Sequence, residues 1–149
     1  MSQQSVLTAI YEKINPATSS GTVFKTAFGG TDSIRGRIFQ LQASQDTVLP
    51  LCIFAVFGEV TEAYLGLAST SLHSMNVRFD FYFRPIDGVA TALASENYLF
   101  DLLHNQTIAS ADSDIATIHS LCESRGTPTI LPDAVSISTL YRVIVSKKS

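Results

Sequence analysis

The sequence is poor in charged residues. Asp, Glu, Lys and Arg make up 15% of its 149 residues, whereas an average soluble protein has about 25%. The formal net charge is only -3. A broad basic surface that would wrap nucleic acid or bind an acidic membrane is therefore excluded.

Long apolar runs and cysteines are scarce as well. No stretch reaches the roughly 20 apolar residues that a membrane-spanning helix needs. The first residues lack the basic start and apolar core of a signal peptide, so we expect synthesis in a cytoplasm. The two cysteines, Cys52 and Cys122, lie in apolar strand-like runs. In a reducing compartment we expect buried free thiols there and no disulfide.

Motifs of enzymes and metal sites are also lacking. The three histidines stand far apart, with no Cys or acidic pair at ligand spacing; they are His73, His104 and His119. Asp112 and Asp114 lack the later ligands of a calcium loop. Gly29-Gly30 lacks the Lys-Ser/Thr ending of a phosphate loop. We therefore expect a protein that is not an enzyme and has no catalytic residues, cofactor or metal.

The sequence does contain clear helix patterns. Apolar residues at one-face spacing predict helices over Ser5–Ile14 and Val89–His104. The second helix is expected to bury four apolar side chains: Val89, Leu93, Phe100 and Leu103. Glu96 falls inside that stripe without an evident partner.

Strand patterns occupy most of the remaining chain. The predicted strands are Arg35–Phe39, Leu51–Phe57, Met75–Arg84, Ile115–Glu123 and Val135–Ser146, with a loose connection from Glu59 to Ser74. This order is typical of an α+β fold, an antiparallel sheet of four to five strands with two helices packed on one face. We expect residues 1–149 to form a single domain.

The strand Leu51–Phe57 is apolar on both of its faces. Because successive side chains of a strand point to opposite sides, Cys52, Phe54 and Val56 face away from Ile53 and its neighbours. Two helices can cover only one face of the sheet. Burying a large apolar side chain stabilises by roughly 1.5–3 kcal/mol, so either a loop or another subunit should cover the second face. We expect Cys52, Phe54 and Val56 to lie in a contact between identical copies.

Positively charged residues are scarce, with 10 Lys and Arg in the chain. Four arginines stand out, namely Arg35, Arg37, Arg78 and Arg84. The simpler interpretation is that they pair in solvent with Asp80 and similar residues. The alternative is a small positive patch that faces DNA or a partner protein.

One long segment, GRIFQLQASQDTVLPLCIFAVFGEV, resembles the tail-terminator (tail-completion) proteins of long-tailed bacteriophages. The likeness lies in Arg37-Ile38-Phe39, in the polar stretch Ala43–Asp46, and in Leu49-Pro50 before an apolar strand. The family's order of elements continues in three further segments: MNVRFDFYFR, the helix 89–104 and LYRVIV. The resemblance extends from about Val6 to Val145, with mismatches in the loops 18–33 and 105–114.

This resemblance implies a structural virion protein of the tail or neck, assembled in the host cytoplasm. Proteins of this family cap the tail tube as a ring, commonly of six copies, stop its polymerisation and offer a docking surface to the head connector. The implied partners are copies of itself (a hexameric ring), the tail tube protein, a head-tail connector or stopper protein, and genomic DNA that crosses the lumen without sequence recognition. The four arginines would then face the lumen or a partner. A low charge count is expected where much of the surface is committed to contacts.

Two other functions stay open. A head-tail connector or stopper protein would belong to the same setting, although the order of helices and strands argues against it. A small enzyme or ligand-binding α+β domain would use an apolar pocket beside Phe54 and Phe81. Such a pocket needs convergent polar groups, and the sequence has none at a recognisable spacing.

Overall fold

The computed structural model describes residues 3–17, 23–31, 33–43, 48–63 and 71–147. The helices are α1 Gln3–Ile14, α2 Val23–Ala27 and α3 Gly88–Leu103, and a short 3-10 helix, Pro85–Asp87, precedes α3. The strands are β1 Ile38–Gln40, β2 Leu51–Ala63, β3 Ser71–Phe83, β4 Gln106–Ile108, β5 Ile115–Ser124, β6 Thr129–Ile130 and β7 Val135–Lys147. The fold is α+β, as predicted. Residues 44–46 of the polar stretch and part of the loop 18–33 lie outside the described residues.

The seven strands form one sheet with the order β1-β2-β3-β7-β5-β4, and β6 pairs with β7. Strand β1 runs parallel to β2, and the other pairs are antiparallel. The prediction of four to five antiparallel strands is therefore wrong in number and in the direction of β1. The unpredicted strands β4 and β6 have three and two residues, which is too short for a periodic pattern.

The hairpin β2–β3 is longer than the apolar pattern indicates. It pairs 13-residue strands from Leu51 opposite Tyr82 to Ala63 opposite Ser71. Part of the predicted loose connection is thus strand, because β7 pairs with the other edge of β3 along its whole length. A bulge between Val56 and Gly58 leaves Phe57 without a partner on β3.

All three helices pack on one face of the sheet, which confirms that part of the prediction and adds a helix, α2. The ring of Tyr11 on α1 stacks on Phe54 with centroids 6.4 Å apart. Phe24 on α2 meets Phe81 edge-on at 5.7 Å. At the end of α3 the Ser120 hydroxyl donates to the carbonyl of Leu103. Since Phe54, Phe81 and Ser120 share one side of the sheet, the opposite side carries none of these helices.

Helix α3 is rotated from the predicted orientation. Leu103 is buried as expected, but Val89 and Leu93 are exposed. Small residues, Ala92 and Ser95, lie on the buried side instead, together with Glu96 and Leu99. The helix is apolar around most of its circumference, so its periodicity does not select one face.

The chain after β5 lies directly against β7. A Cβ atom at Gly126 would lie 1.8 Å from the carbonyl oxygen of Ser138, a backbone atom that cannot move aside. The Thr139 hydroxyl on β7 donates a hydrogen bond of 2.9 Å to the carbonyl of Ser124, the last residue of β5. Only glycine fits at position 126, because any side chain would push two backbones apart.

We expect Gly126→Ala to lower the free energy of unfolding by about 1–3 kcal/mol, the usual cost of overpacking a tight site. Urea unfolding followed by circular dichroism measures this difference. Gly58→Ala is the matched control, because nothing lies within 4 Å of a Cβ at Gly58. Equal stability of the two variants would contradict the close approach of the two backbones.

Candidate functional site

The residues predicted to contact another copy do not form a surface. Cys52 and Phe54 are fully buried, and Val56 is half-buried and packs on the core. Phe54 stacks on Phe79 of β3, with centroids 5.3 Å apart, and is covered by Tyr11 of α1. The prediction is therefore wrong for Cys52 and Phe54, which lie inside the protein's own core. Burial also raises the pKa of the Cys52 thiol.

In the described part of the chain, the opposite row of β2 is buried at Leu51 and becomes more exposed toward Phe57. Ile53 and Ala55 are half-buried, and Phe57 is 72% exposed. We call Ile53, Ala55 and Phe57 the β2 outer surface. Neighbouring positions on β3 carry Asp80 opposite Ile53 and Arg78 opposite Ala55. Within the described residues, the apolar strand is thus partly exposed on the side away from the helices.

A second apolar surface lies on the helix layer. Ile86 is 86% exposed, Val89 37% and Leu93 44%. We call these three residues the α3 outer surface. Between Asp87 and Asp101 the only charged residue is Glu96, which is buried. The exposed side of the first half of α3 therefore has no charge of its own.

Each of the four singled-out arginines has a partner of its own in the structure. Their partners are local: Arg35 with Glu12 at 3.0 Å, Arg37 with the Pro50 carbonyl at 2.9 Å, Arg78 with Asp80 at 3.0 Å, and Arg84 with Asp87 at 2.9 Å. Arg35 lies beside α1 and stacks over Tyr11. Arg78 lies on the outer side of β3. The simpler interpretation, local pairing with carboxylates, holds for three of the four.

A polar group that the sequence did not predict holds α3 against the end of β5. Glu96 is 4% exposed and accepts from Arg125, whose Nε lies 2.7 Å from Oε1. The Arg125 guanidinium lies 4.3 Å above the Phe100 ring, and Phe100 stacks on His104. The hydrogen bonds that Arg125 donates to the Glu96 carboxylate raise the pKa of Arg125. The one signal in the sequence was a carboxylate inside an apolar helix.

The histidines in this region make structural contacts. The backbone N–H of Cys122 donates to Nδ1 of His104 at 3.1 Å. His119 Nε2 lies 3.1 Å from the Asn105 side-chain oxygen. Both contacts join the end of α3 and the residues after it to β5. The first contact positions the backbone of β5, and the second joins two side chains.

Other kinds of site are few in the described part of the chain. No three His, Cys, Asp or Glu side chains there lie close enough to hold a metal ion. None of its helices is long and apolar enough to cross a membrane. Phe54 and Phe81 are fully buried among aromatic neighbours, so they do not line the open pocket that a ligand-binding domain would need. A cleft of about 660 Å³ lies between α1 and residues 109–112, lined mainly by small side chains.

Comparisons with known proteins show a shared fold. No protein-family model matches the sequence, and no curated protein matches it. A chain in the structure of the virion of a native gene transfer agent (GTA) particle superposes with a TM-score of 0.64 at 12% identity, over 96% of both chains. A second solved chain superposes with a TM-score of 0.57 at 16% identity, also over 96% of both. The chain is thus similar in fold, over nearly its whole length, to a protein of a virion particle.

Proposed function

We propose that the protein is a structural component of a phage-like virion, with no catalytic activity, cofactor or metal. The observation that carries the proposal is the likeness to a chain of the gene transfer agent particle over 96% of both chains. At 12% identity this likeness concerns the fold, so the virion role rests on it together with the resemblance of the segment 36–60.

Within the virion, we propose the role of a tail terminator. Copies form a ring at the tail or neck, commonly six in the family, on the end of the tail tube. The ring stops polymerisation of the tube and gives the head connector or stopper protein a surface to dock on. Genomic DNA passes through its centre, and assembly takes place in the host cytoplasm. The small number of surface charges supports extensive protein contacts, because charged residues are depleted at the centre of interfaces.

Electron microscopy of the purified protein, alone and mixed with tail tubes, tests this role. We expect rings, free or seated at one end of each tube, and tubes that stop elongating once they are capped. Light scattering over a range of concentrations measures the size of the free assembly. Binding to the head connector without binding to tube ends would indicate a connector or stopper protein instead. A protein that stays monomeric and never binds a tube end would contradict the proposal.

A further inference from the structure

Resting on the proposed function, we propose that copies contact one another head to tail, with the β2 outer surface of one copy against the α3 outer surface of the next. The first surface lies on the open side of the sheet, and the second lies on the helix layer that covers the other side. A symmetric contact between two copies would cover only one of the two surfaces. A head-to-tail contact covers both, and it repeats until rotation closes it into a ring.

The charges next to the two surfaces are paired within each copy. The charges next to the β2 outer surface, Arg78 and Asp80, pair with each other at 3.0 Å, and Ser138 also donates to Asp80. On the α3 outer surface, Val89 and Leu93 have no exposed charge between Asp87 and Asp101, and the charges beside Ile86, Arg84 and Asp87, pair with each other at 2.9 Å. Bringing the two surfaces together therefore buries none of these four charges without a partner, so the contact avoids the penalty of an unpaired buried charge.

The exposed apolar side chains of the two surfaces provide the favourable free energy of association. Phe57, Ile86 and Leu93 are the largest exposed members of the two surfaces, at 72%, 86% and 44%. Each large apolar side chain that is covered contributes favourably to association, and an aromatic ring at the centre of a contact contributes most. A second copy provides apolar surface for both at once.

Disulfide trapping tests the contact. Phe57→Cys and Leu93→Cys are introduced separately and together in a Cys122→Ser background, which leaves only the buried Cys52 as a native thiol. Under mild oxidation we expect the mixture of the single variants to form 57–93 disulfides, and the double variant to form a covalent ladder of multimers. Mass spectrometry of the digested products identifies the linked residues. Ser113→Cys, at an exposed loop position, is the matched control.

Each other result overturns the contact. Predominant 57–57 or 93–93 links would indicate a symmetric contact. Links no more frequent than those of the Ser113→Cys control would show that these surfaces do not meet. Rings that form without a 57–93 link would overturn this contact and leave the terminator role standing, whereas the tube-binding experiment tests that role separately.

Discussion

Replacing Phe54 with Asp is expected to abolish folding. The ring is completely buried between Tyr11 and Phe79, and truncation of such a side chain to Ala costs about 3–5 kcal/mol. A carboxylate at the same place adds a desolvation penalty of several kcal/mol. The sum approaches the whole stability of a typical domain, about 5–15 kcal/mol. Circular dichroism and proton NMR would show loss of the cooperative unfolding transition and of dispersed signals.

Phe57→Asp is the matched control on the same strand. Phe57 is 72% exposed, so we expect this variant to fold with nearly unchanged stability. The pair separates the two faces of β2, since the same substitution three residues apart has opposite outcomes. A folded Phe54→Asp protein with impaired assembly would contradict the structure, because it would place Phe54 in a contact between copies.

Replacing Arg125 with Ala is expected to cost about 3 kcal/mol, the lower end of the range for breaking a buried ion pair. The loss leaves the Glu96 carboxylate, 4% exposed, without its cation. The lower end applies because the Arg125 side chain is itself 41% exposed, so water can enter the place that it vacates. Urea denaturation at neutral pH measures the difference in the free energy of unfolding.

Two further variants make the interpretation specific. Glu96→Gln keeps a hydrogen-bonding side chain and leaves the half-exposed guanidinium hydrated, so its cost should be smaller, about 1 kcal/mol. Arg78→Ala removes an exposed ion pair with Asp80 and should cost less than about 1 kcal/mol. If Arg125→Ala were no more costly than Arg78→Ala, the buried pair would not be what holds α3 against β5.

The strand β3 shows why much of the fold could be predicted. From Met75 to Phe83 its residues alternate between apolar and polar, and a strand has only two faces. Phe79, Phe81 and Phe83 are all fully buried, whereas Arg78 and Asp80 lie on the other side, where they pair. Alternation and helical spacing are local properties of the chain, so α1, α3, β3, β5 and β7 follow from the sequence to within a few residues.

The apolar strand β2 shows where that reasoning ends. By itself the sequence determined that Leu51–Phe57 is extended and that it has two apolar faces. Only the tertiary structure decided that Cys52 and Phe54 face the core, because α1, which lies far before β2 in the sequence, is what covers Phe54. The same holds for Glu96, whose partner Arg125 lies 29 residues away. Local patterns sort side chains into opposite sides, but packing between distant segments decides which side is buried.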